Sequence, residues 1–329
     1  MKPEITSRIF KIREKNDFLD TTLEIFKYQA DNNPVYKLYL ELLGSKYSAP
    51  EYLEDIPFLP AGFFRSHKIL TGDTPAEMIF QSSGTTGTAA SRHYVADLTL
   101  YEKSFFSAFR LFYGDPADYT IYALLPSYTE RNNSSLIYMV SHLIKATGSA
   151  LSRFYRDDYK KLLKNIREEK DQGKKILIIG VSYALLNFAE AGNTDLSGVI
   201  VMETGGMKGR RKEIIRPELH SLLKEKFNLE AIHSEYGMTE LLSQAYSAGE
   251  GIFRCPPWMK ILIRDPRDPL SIITEPGRSG GINIIDLANI NSCSFIATDD
   301  LGKLHDDGNF EVLGRLDNSD IRGCNLLIE

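Results

Sequence analysis

Between Ser82 and Gly87, six residues carry four hydroxyl side chains and two glycines, in the run Gln81-Ser82-Ser83-Gly84-Thr85-Thr86-Gly87-Thr88 that continues to Ser91-Arg92-His93. That composition has no apolar face, and glycine weakens helix and strand alike. A loop wrapped around a polyphosphate does use it. Glycines let backbone N–H groups approach phosphate oxygens, the hydroxyls donate further bonds, and Arg92 supplies positive charge. The same residues also suit a surface turn rich in Ser, Thr and Gly. The Walker pattern is excluded, because no lysine follows Gly87.

Three later stretches carry groups of related chemistry. Glu203-Thr204-Gly205-Gly206 follows an apolar run ending at Met202, and a glycine pair at the carboxyl end of a parallel strand lies where open α/β sheets bind ligands. A plain strand-to-loop turn fits equally well. Ser234-Glu235-Tyr236-Gly237-Met238-Thr239-Glu240 places an aromatic face, a hydroxyl and a carboxylate within a few residues, or forms a strand–turn–helix corner. Ala297-Thr298-Asp299-Asp300-Leu301-Gly302 offers carboxylates, or makes an acidic turn. Gly314-Arg315-Leu316-Asp317 follows, and Cys324 stands near the end beside Arg322, which could lower its thiol pKa.

Taken in this order, the stretches resemble the motifs of the adenylate-forming enzymes, the acyl-CoA synthetases, luciferases and adenylation domains. The nucleotide loop of that superfamily usually ends in Lys; Arg92 and His93 follow here. Ser-Ser-Gly-Thr-Thr-Gly-Thr with Ser91-Arg92-His93 is similar to the bacterial acyl-protein synthetase branch, the LuxE-type fatty-acid ligases of bioluminescence operons. Leu124-Leu125-Pro126-Ser127-Tyr128, Cys255-Pro256-Pro257-Trp258-Met259-Lys260 and Ser319-Asp320-Ile321-Arg322-Gly323-Cys324 fit the same branch.

The resemblance implies ATP and Mg2+ as cofactors and assigns roles. Residues Ser82, Ser83, Gly84, Thr85, Thr86, Gly87 and Thr88 hold phosphates, and Gly205 and Gly206 flank the adenine. Tyr236 stacks on the base, Thr239 donates to the α-phosphate, and Glu240 holds Mg2+, which needs few carboxylates besides phosphate oxygens and waters. The middle glycine of a Thr-Gly-Asp segment is replaced here by Asp299, so Asp300 takes the ribose hydroxyls. Arg315 lies near the ribose and Asp317 is the hinge. Cys324 accepts the acyl group; a thiol is the most nucleophilic side chain near neutral pH, and a thioester stays activated. Most of the superfamily adds a C-terminal lid domain with a catalytic lysine. A chain ending at Glu329 is expected to lack it, leaving Arg92, His93 or Lys208 to supply that charge. The partners implied are a fatty acid and an acyl-accepting protein, a reductase or carrier. An acyl- or aryl-CoA ligase, a carrier-loading ligase and a non-catalytic nucleotide-binding subunit are the alternatives.

The elements that must position these groups follow from periodicity. Residues 1–50 read as helices, with a capping box at Thr21 and Glu24 and a second start at Asn33-Pro34. The Pro-rich segment 56–64 reads as extended. Strand-like runs at 78–80, 119–125, 175–181, 198–202 and 231–236 alternate with helical spacing over 98–111, 134–146, 158–170, 182–190 and 216–227. That alternation is the mark of an α/β domain with a mostly parallel sheet. The aromatics of 101–128 suit an acyl channel and a core equally. Past residue 250, short strands at 259–263, 282–285, 294–297 and 309–313 are punctuated by turns, so a small β subdomain is expected over 251–329, after an α/β nucleotide-binding region over 1–250.

Totals narrow the class. The 329 residues carry a net charge of −5, from 39 basic and 44 acidic side chains, which argues against a nucleic-acid surface. The three cysteines, Cys255, Cys293 and Cys324, are far apart and read as reduced thiols of a cytoplasmic protein. The longest apolar uncharged run, Ile176 to Ala189, is shorter than the roughly 20 residues of a spanning helix.

Overall fold

The computed structural model describes residues 3–82, 89–125, 133–155, 158–192, 194–205 and 214–316. Three helices open the chain: α1 (Pro3–Ile9), α2 (Lys15–Asn32) and α3 (Pro34–Leu43). The capping box expected at Thr21 and Glu24 is not a helix start. Thr21 lies buried inside α2, because Phe18, Thr22, Ile25, Phe26 and Gln29 extend one buried stripe upstream of it. The helix begins after Glu14, whose backbone N–H donates to Asp17 Oδ2 at 3.4 Å. The second start is where the sequence puts it: Asn33 Oδ1 accepts from the N–H groups of Val35 (3.1 Å) and Tyr36 (3.0 Å), with Pro34 in the first turn.

These helices bury polar contacts against the far end of the chain. Gln29 Nε2 donates to the carbonyls of Asn289 (3.1 Å) and Ile290 (2.9 Å), and Asn33 Nδ2 donates to that of Ser292 (2.8 Å). The Pro-rich segment is extended at β1 (Leu59–Pro60), which pairs in parallel with residues 296 and 297, and then makes one helical turn, α4 (Phe63–Ser66).

Next come the hairpin β2 (Met78–Gln81) and β3 (Arg92–Val95), then α5 (Leu98–Tyr113), β4 (Tyr119–Leu124), α6 (Ser135–Ala146), β5 (Arg153–Phe154) and α7 (Tyr159–Asp171). They are followed by β6 (Lys175–Val181), α8 (Ser182–Glu190), β7 (Ile200–Thr204), α9 (Arg216–Phe227), β8 (His233–Tyr236) and β9 (Ala245–Ser247). The strands from β4 on make a sheet of order β5-β4-β6-β7-β8-β9, parallel except for β9. Strands β4 and β6 are apolar without alternation because both faces of the sheet are covered. Tyr101, Phe105 and Phe109 of α5 are fully buried, so these aromatics are core.

The last part is β10 (Ile252–Phe253), β11 (Met259–Arg264), β12 (Ile272–Ile273), β13 (Ser279–Asp286), β14 (Phe295–Leu304) and β15 (Phe310–Arg315). It forms an antiparallel sheet of order β10-β15-β14-β13-β11-β12, with β1 added beside β14. The register of β13 shifts between Gly281 and Asn283. No helix among the described residues is long and apolar enough to cross a membrane.

Candidate functional site

A cleft of about 380 Å3 opens at the carboxyl ends of β2, β7 and β8. Its walls include Gln81 and Ser82 of the hairpin, residues 133–136 at the entry of α6, Thr204 and Gly205 at the end of β7, Glu235 within β8, and Gly237, Met238 and Thr239 beyond it. Parallel topology brings the ends of β7 and β8 together, and the separate antiparallel hairpin adds the end of β2. The hairpin mouth is closed by two bonds: Ser82 N–H donates to the Ser91 carbonyl (3.1 Å) and Ser91 N–H donates to Ser82 Oγ (2.9 Å). The Ser/Thr/Gly run therefore joins the hairpin strands beside the cleft; Ser83, Gly84, Thr85, Thr86, Gly87 and Thr88 lie outside the described residues. Gln81 N–H donates to the Asn133 carbonyl (2.7 Å) and Asn133 Nδ2 donates to Gln81 Oε1 (2.9 Å), which fixes the hairpin to the entry of α6.

Gly205 has φ +66, a left-handed conformation that favours glycine, and its carbonyl accepts from Ser182 Oγ at 2.6 Å. Gly206 lies outside the described residues. Gly237 is required for another reason: an added Cβ would stand 2.3 Å from Glu235 Oε1. Gly237→Ala is therefore expected to displace the Glu235 carboxylate and cut acid-dependent pyrophosphate exchange about a hundredfold, the loss that a misplacement near 1 Å causes. The thermal midpoint checks that the fold persists; unchanged exchange would show that the cleft geometry is not critical.

Thr239 and Glu240 are held from behind. The Thr239 carbonyl accepts from Nδ1–H of His93 (2.8 Å), and the Glu240 carbonyl accepts from Asn289 Nδ2 (2.7 Å). Asp286, fully buried, accepts from the N–H groups of Leu242 (2.8 Å) and Ser243 (3.0 Å) and from Ser243 Oγ (2.5 Å). His93 is fully buried, and burial lowers its pKa to about 4, so it is neutral at pH 7. It cannot replace a lysine as a source of charge; it positions the Thr239 turn. Arg92 is exposed, opposite Gln81 in the hairpin, and Lys208 lies outside the described residues.

Glu240 is buried, and burial raises its carboxyl pKa, with the Ser91 hydroxyl opposing. Among the described residues no three His, Cys, Asp or Glu side chains come together as a metal cage. Mg2+ needs none where phosphate oxygens and one carboxylate bind it, and a buried acid whose charge is penalised by burial fits that role.

The structure joins Tyr236 to Asp300: the phenol donates to Asp300 Oδ2 at 2.8 Å. The Tyr236 ring is packed edge-on against Phe253 and Phe310, at 5.9 and 5.6 Å between centroids. Burial raises the Asp300 carboxyl. Arg315 lies opposite Asp300 in the β14–β15 register, yet its guanidinium reaches the neighbouring Asp299 at 3.3 Å, as Arg65 does at 3.5 Å. The two adjacent carboxylates thus face different surroundings, one bridging two surface arginines and one half-buried beside a tyrosine.

Sequence reading missed two arginines. Arg264 is buried, donating to the carbonyls of Ile282 and Thr298 behind Asp300. Arg216 donates to Glu203 Oε1 at 2.9 Å, beside the end of β7. Neither stands in a motif; Gly281, which leaves room for Arg264, is the only local signal. Cys293 is buried and Cys255 half-buried; desolvation raises both thiol pKa values, Cys293 to about 12. Cys324 and Asp317 lie outside the described residues.

The family described as acyl-protein synthetase, LuxE, matches residues 115–329. No curated protein matches the chain. Among solved structures, a 2-hydroxyisobutyryl-CoA ligase in the postadenylation state is similar with a TM-score of 0.62 and 14% identity, over 95% of this chain and 70% of that one. An O-succinylbenzoate coenzyme A synthetase from Bacillus subtilis in complex with AMP gives 0.51 and 20%, over 75% and 50%. A luciferase-like enzyme from the nonluminescent mealworm Zophobas morio gives 0.52 and 18%, over 75% and 60%. The chain thus spans half the length of the Bacillus subtilis enzyme. At these identities the likeness is one of fold: the adenylate-forming α/β fold.

Proposed function

The chain belongs to the LuxE acyl-protein synthetase family, and from that premise we propose that it activates a carboxylic acid with ATP and passes the acyl group to a thiol. The observation that carries this reading is the cleft at the carboxyl ends of the parallel strands, bounded by the hairpin mouth at Ser82 and the turn at Thr239. A carboxylate oxygen attacks the α-phosphorus of ATP; the bond to the β-phosphate breaks and pyrophosphate leaves. Positioning and charge stabilisation dominate such a step. Ser83 to Thr88 and Arg92 hold the leaving pyrophosphate, Thr239 the α-phosphate, and Asp300 with Arg315 the ribose. Glu240 would hold Mg2+, which supplies charge neutralisation on the phosphates.

In the second step the Cys324 thiolate attacks the acyl carbon, a C–S bond forms, the C–O bond to AMP breaks, and the thiol proton goes to solvent. The other two thiols support this choice of acceptor, since desolvation raises the pKa of both and a protonated thiol is a poor nucleophile. The resemblance implies a long-chain fatty acid as the acid, a reductase or carrier as the recipient, and a cytoplasmic setting.

Intact mass after incubation with ATP, Mg2+ and a panel of acids tests the reading. A hydroxylamine-labile gain of one acyl group, lost in Cys324→Ser, is the expected result. Pyrophosphate exchange without that gain moves the acceptor to coenzyme A or a carrier. Absence of both with every acid leaves a nucleotide-binding subunit and refutes the proposal.

A further inference from the structure

The Pro-rich segment and the helical turn α4 after it lie against both halves of the candidate nucleotide site. Strand β1 pairs with residues 296 and 297 of β14, and Ala61 N–H donates to the Ala297 carbonyl at 2.8 Å. This pairing sets α4 beside the stretch of β14 that carries Asp299 and Asp300. Phe64 of α4 is fully buried and packs edge-on against the His93 ring, at 5.6 Å between centroids. His93 is the side chain that holds the Thr239 carbonyl. The next residue, Arg65, reaches Asp299, with Nη2 at 3.5 Å from Oδ2. Two consecutive side chains of α4 therefore touch the support of Thr239 and the neighbour of Asp300. Burial raises the Glu240 carboxyl, and the Arg65 charge is among the groups that oppose it.

Arg65 is held loosely where it stands. A charge-assisted N–H···O bond runs at about 2.7–2.9 Å, well short of the Arg65–Asp299 separation. The two side chains are 42% and 48% exposed, and an ion pair so open to water contributes little. Asp299 also meets Arg315 at 3.3 Å. One carboxylate thus faces two guanidiniums and neutralises the charge of one. The surplus charge stands beside Asp300, the carboxylate read as the ribose clamp, and acts on Glu240, the carboxylate read as the Mg2+ ligand. In ATP the group that joins the ribose to the metal-bound phosphates is the α-phosphate, the one attacked.

We propose that Arg65 is a catalytic residue of the adenylation step, its guanidinium leaving Asp299 for one non-bridging oxygen of the ATP α-phosphate while Asp299 keeps Arg315 as its partner. This rests on the adenylation reading and adds to it a cation at the reacting phosphorus. As the acid's carboxylate oxygen bonds to that phosphorus, negative charge gathers on the non-bridging oxygens. The bond to the oxygen bridging to the β-phosphate breaks, and pyrophosphate leaves with its electron pair. A guanidinium fixed on the α-phosphate acts more strongly on that transition state than on bound ATP, so its loss falls on kcat.

ATP–pyrophosphate exchange by the full chain tests it, with octanoate, tetradecanoate or benzoate as the acid, whichever the wild type activates fastest. Arg65→Ala should lower kcat about a hundredfold and change the KM for ATP far less. Arg65→Lys keeps the charge without the fork and should recover part of the loss. Asp299→Asn frees the guanidinium and should leave kcat within about fivefold of wild type, as loss of an exposed pair does. A fall in Asp299→Asn equal to that in Arg65→Ala would make the ion pair structural and overturn the inference. The two diastereomers of ATP with sulfur in place of one non-bridging α-phosphate oxygen give a readout that a structural role would not move. The wild type should prefer one of them, and Arg65→Ala should narrow that preference at least about tenfold, because a charge-assisted bond to one oxygen is lost. Arg65→Lys serves for the same comparison where Arg65→Ala does not fold. An equal loss with both diastereomers, or exchange by Arg65→Ala at the wild-type rate, would overturn the inference while leaving adenylation intact. No exchange by the wild type with any acid would overturn the adenylation reading and this inference with it.

Discussion

Arg216→Met is expected to lower the unfolding free energy at pH 7 by about 3–5 kcal/mol, the usual cost of stranding a buried charge. Arg216 Nε donates to Glu203 Oε1 at 2.9 Å, and Glu203 is 5% exposed. Ser182 Oγ donates to the other oxygen at 3.2 Å, and His220 Nε2 stands 3.7 Å from Oε1. The same guanidinium donates through Nη1 to the Val312 carbonyl (2.9 Å) and lies over the Phe253 ring at 5.1 Å. It therefore ties β7 of the parallel sheet to β15 of the antiparallel one.

The loss should depend on pH. Burial pushes the Glu203 carboxyl up, but the His220 hydrogen bond and the Arg216 charge outweigh it and hold the folded-state value below the ordinary one. A lowered folded-state value means that the folded protein binds fewer protons. The stabilisation is therefore complete above the unfolded value of about 4.3 and is lost as pH falls through the lower folded one. Without Arg216, burial prevails and the sign reverses, so acidification relieves the variant. The gap between wild-type and variant urea midpoints should be wide at pH 7 and narrow towards pH 4. An equal gap at both pH values would mean that the loss is one of packing over Phe253 and not of charge.

Arg264→Met is expected to cost about 1–3 kcal/mol for each buried acceptor left unpaired and to raise the KM for ATP more than it changes kcat. Arg264, 8% exposed, donates from Nη1 to the Ile282 carbonyl and Asn283 Oδ1, both at 2.9 Å, and from Nη2 to the Thr298 carbonyl at 2.5 Å. Thr298 Oγ1 in turn donates to the Ile282 carbonyl (2.9 Å) and accepts the N–H of Asp300 (3.1 Å). The guanidinium thus sets the corner from which the Asp300 carboxylate projects. Lysine lacks the planar fork and would not rescue the variant.

Gly281→Ala tests the same corner from the opposite side. Its Cβ would fall 2.5 Å from Arg264 Cζ, so it should cost about 1–3 kcal/mol as overpacking. If Asp300 holds the ribose, the same KM effect follows. Pyrophosphate exchange at varied ATP reads the split. A fall in kcat alone would assign the corner to stability and remove Asp300 from nucleotide binding.

The elements were legible in the sequence because each is set by spacing within about a dozen residues. The apolar runs of β4 and β6, the helical stripes of α8 and α9, and the Asn33-Pro34 helix start all lie where those patterns put them. The order of strands and helices then required a parallel sheet, and with it a site at the strand ends. Where two patterns overlap, the longer one prevails: Thr21 and Glu24 look like a start, but the buried stripe of α2 runs through them.

Tertiary structure decided what each side chain near the site can do. Asp299 and Asp300 are adjacent and chemically alike, and only the approach of Arg65, Arg315 and Tyr236 separates a surface ion pair from a half-buried carboxyl bonded to a phenol. His93 reads as a cation in sequence and is held neutral by complete burial. Arg216 and Arg264 look like ordinary surface arginines until their partners Glu203 and Thr298 are known. Periodicity is a local property of the chain, whereas burial, charge state and hydrogen-bond supply are sums over neighbours up to more than a hundred residues away, so only the folded chain assigns them.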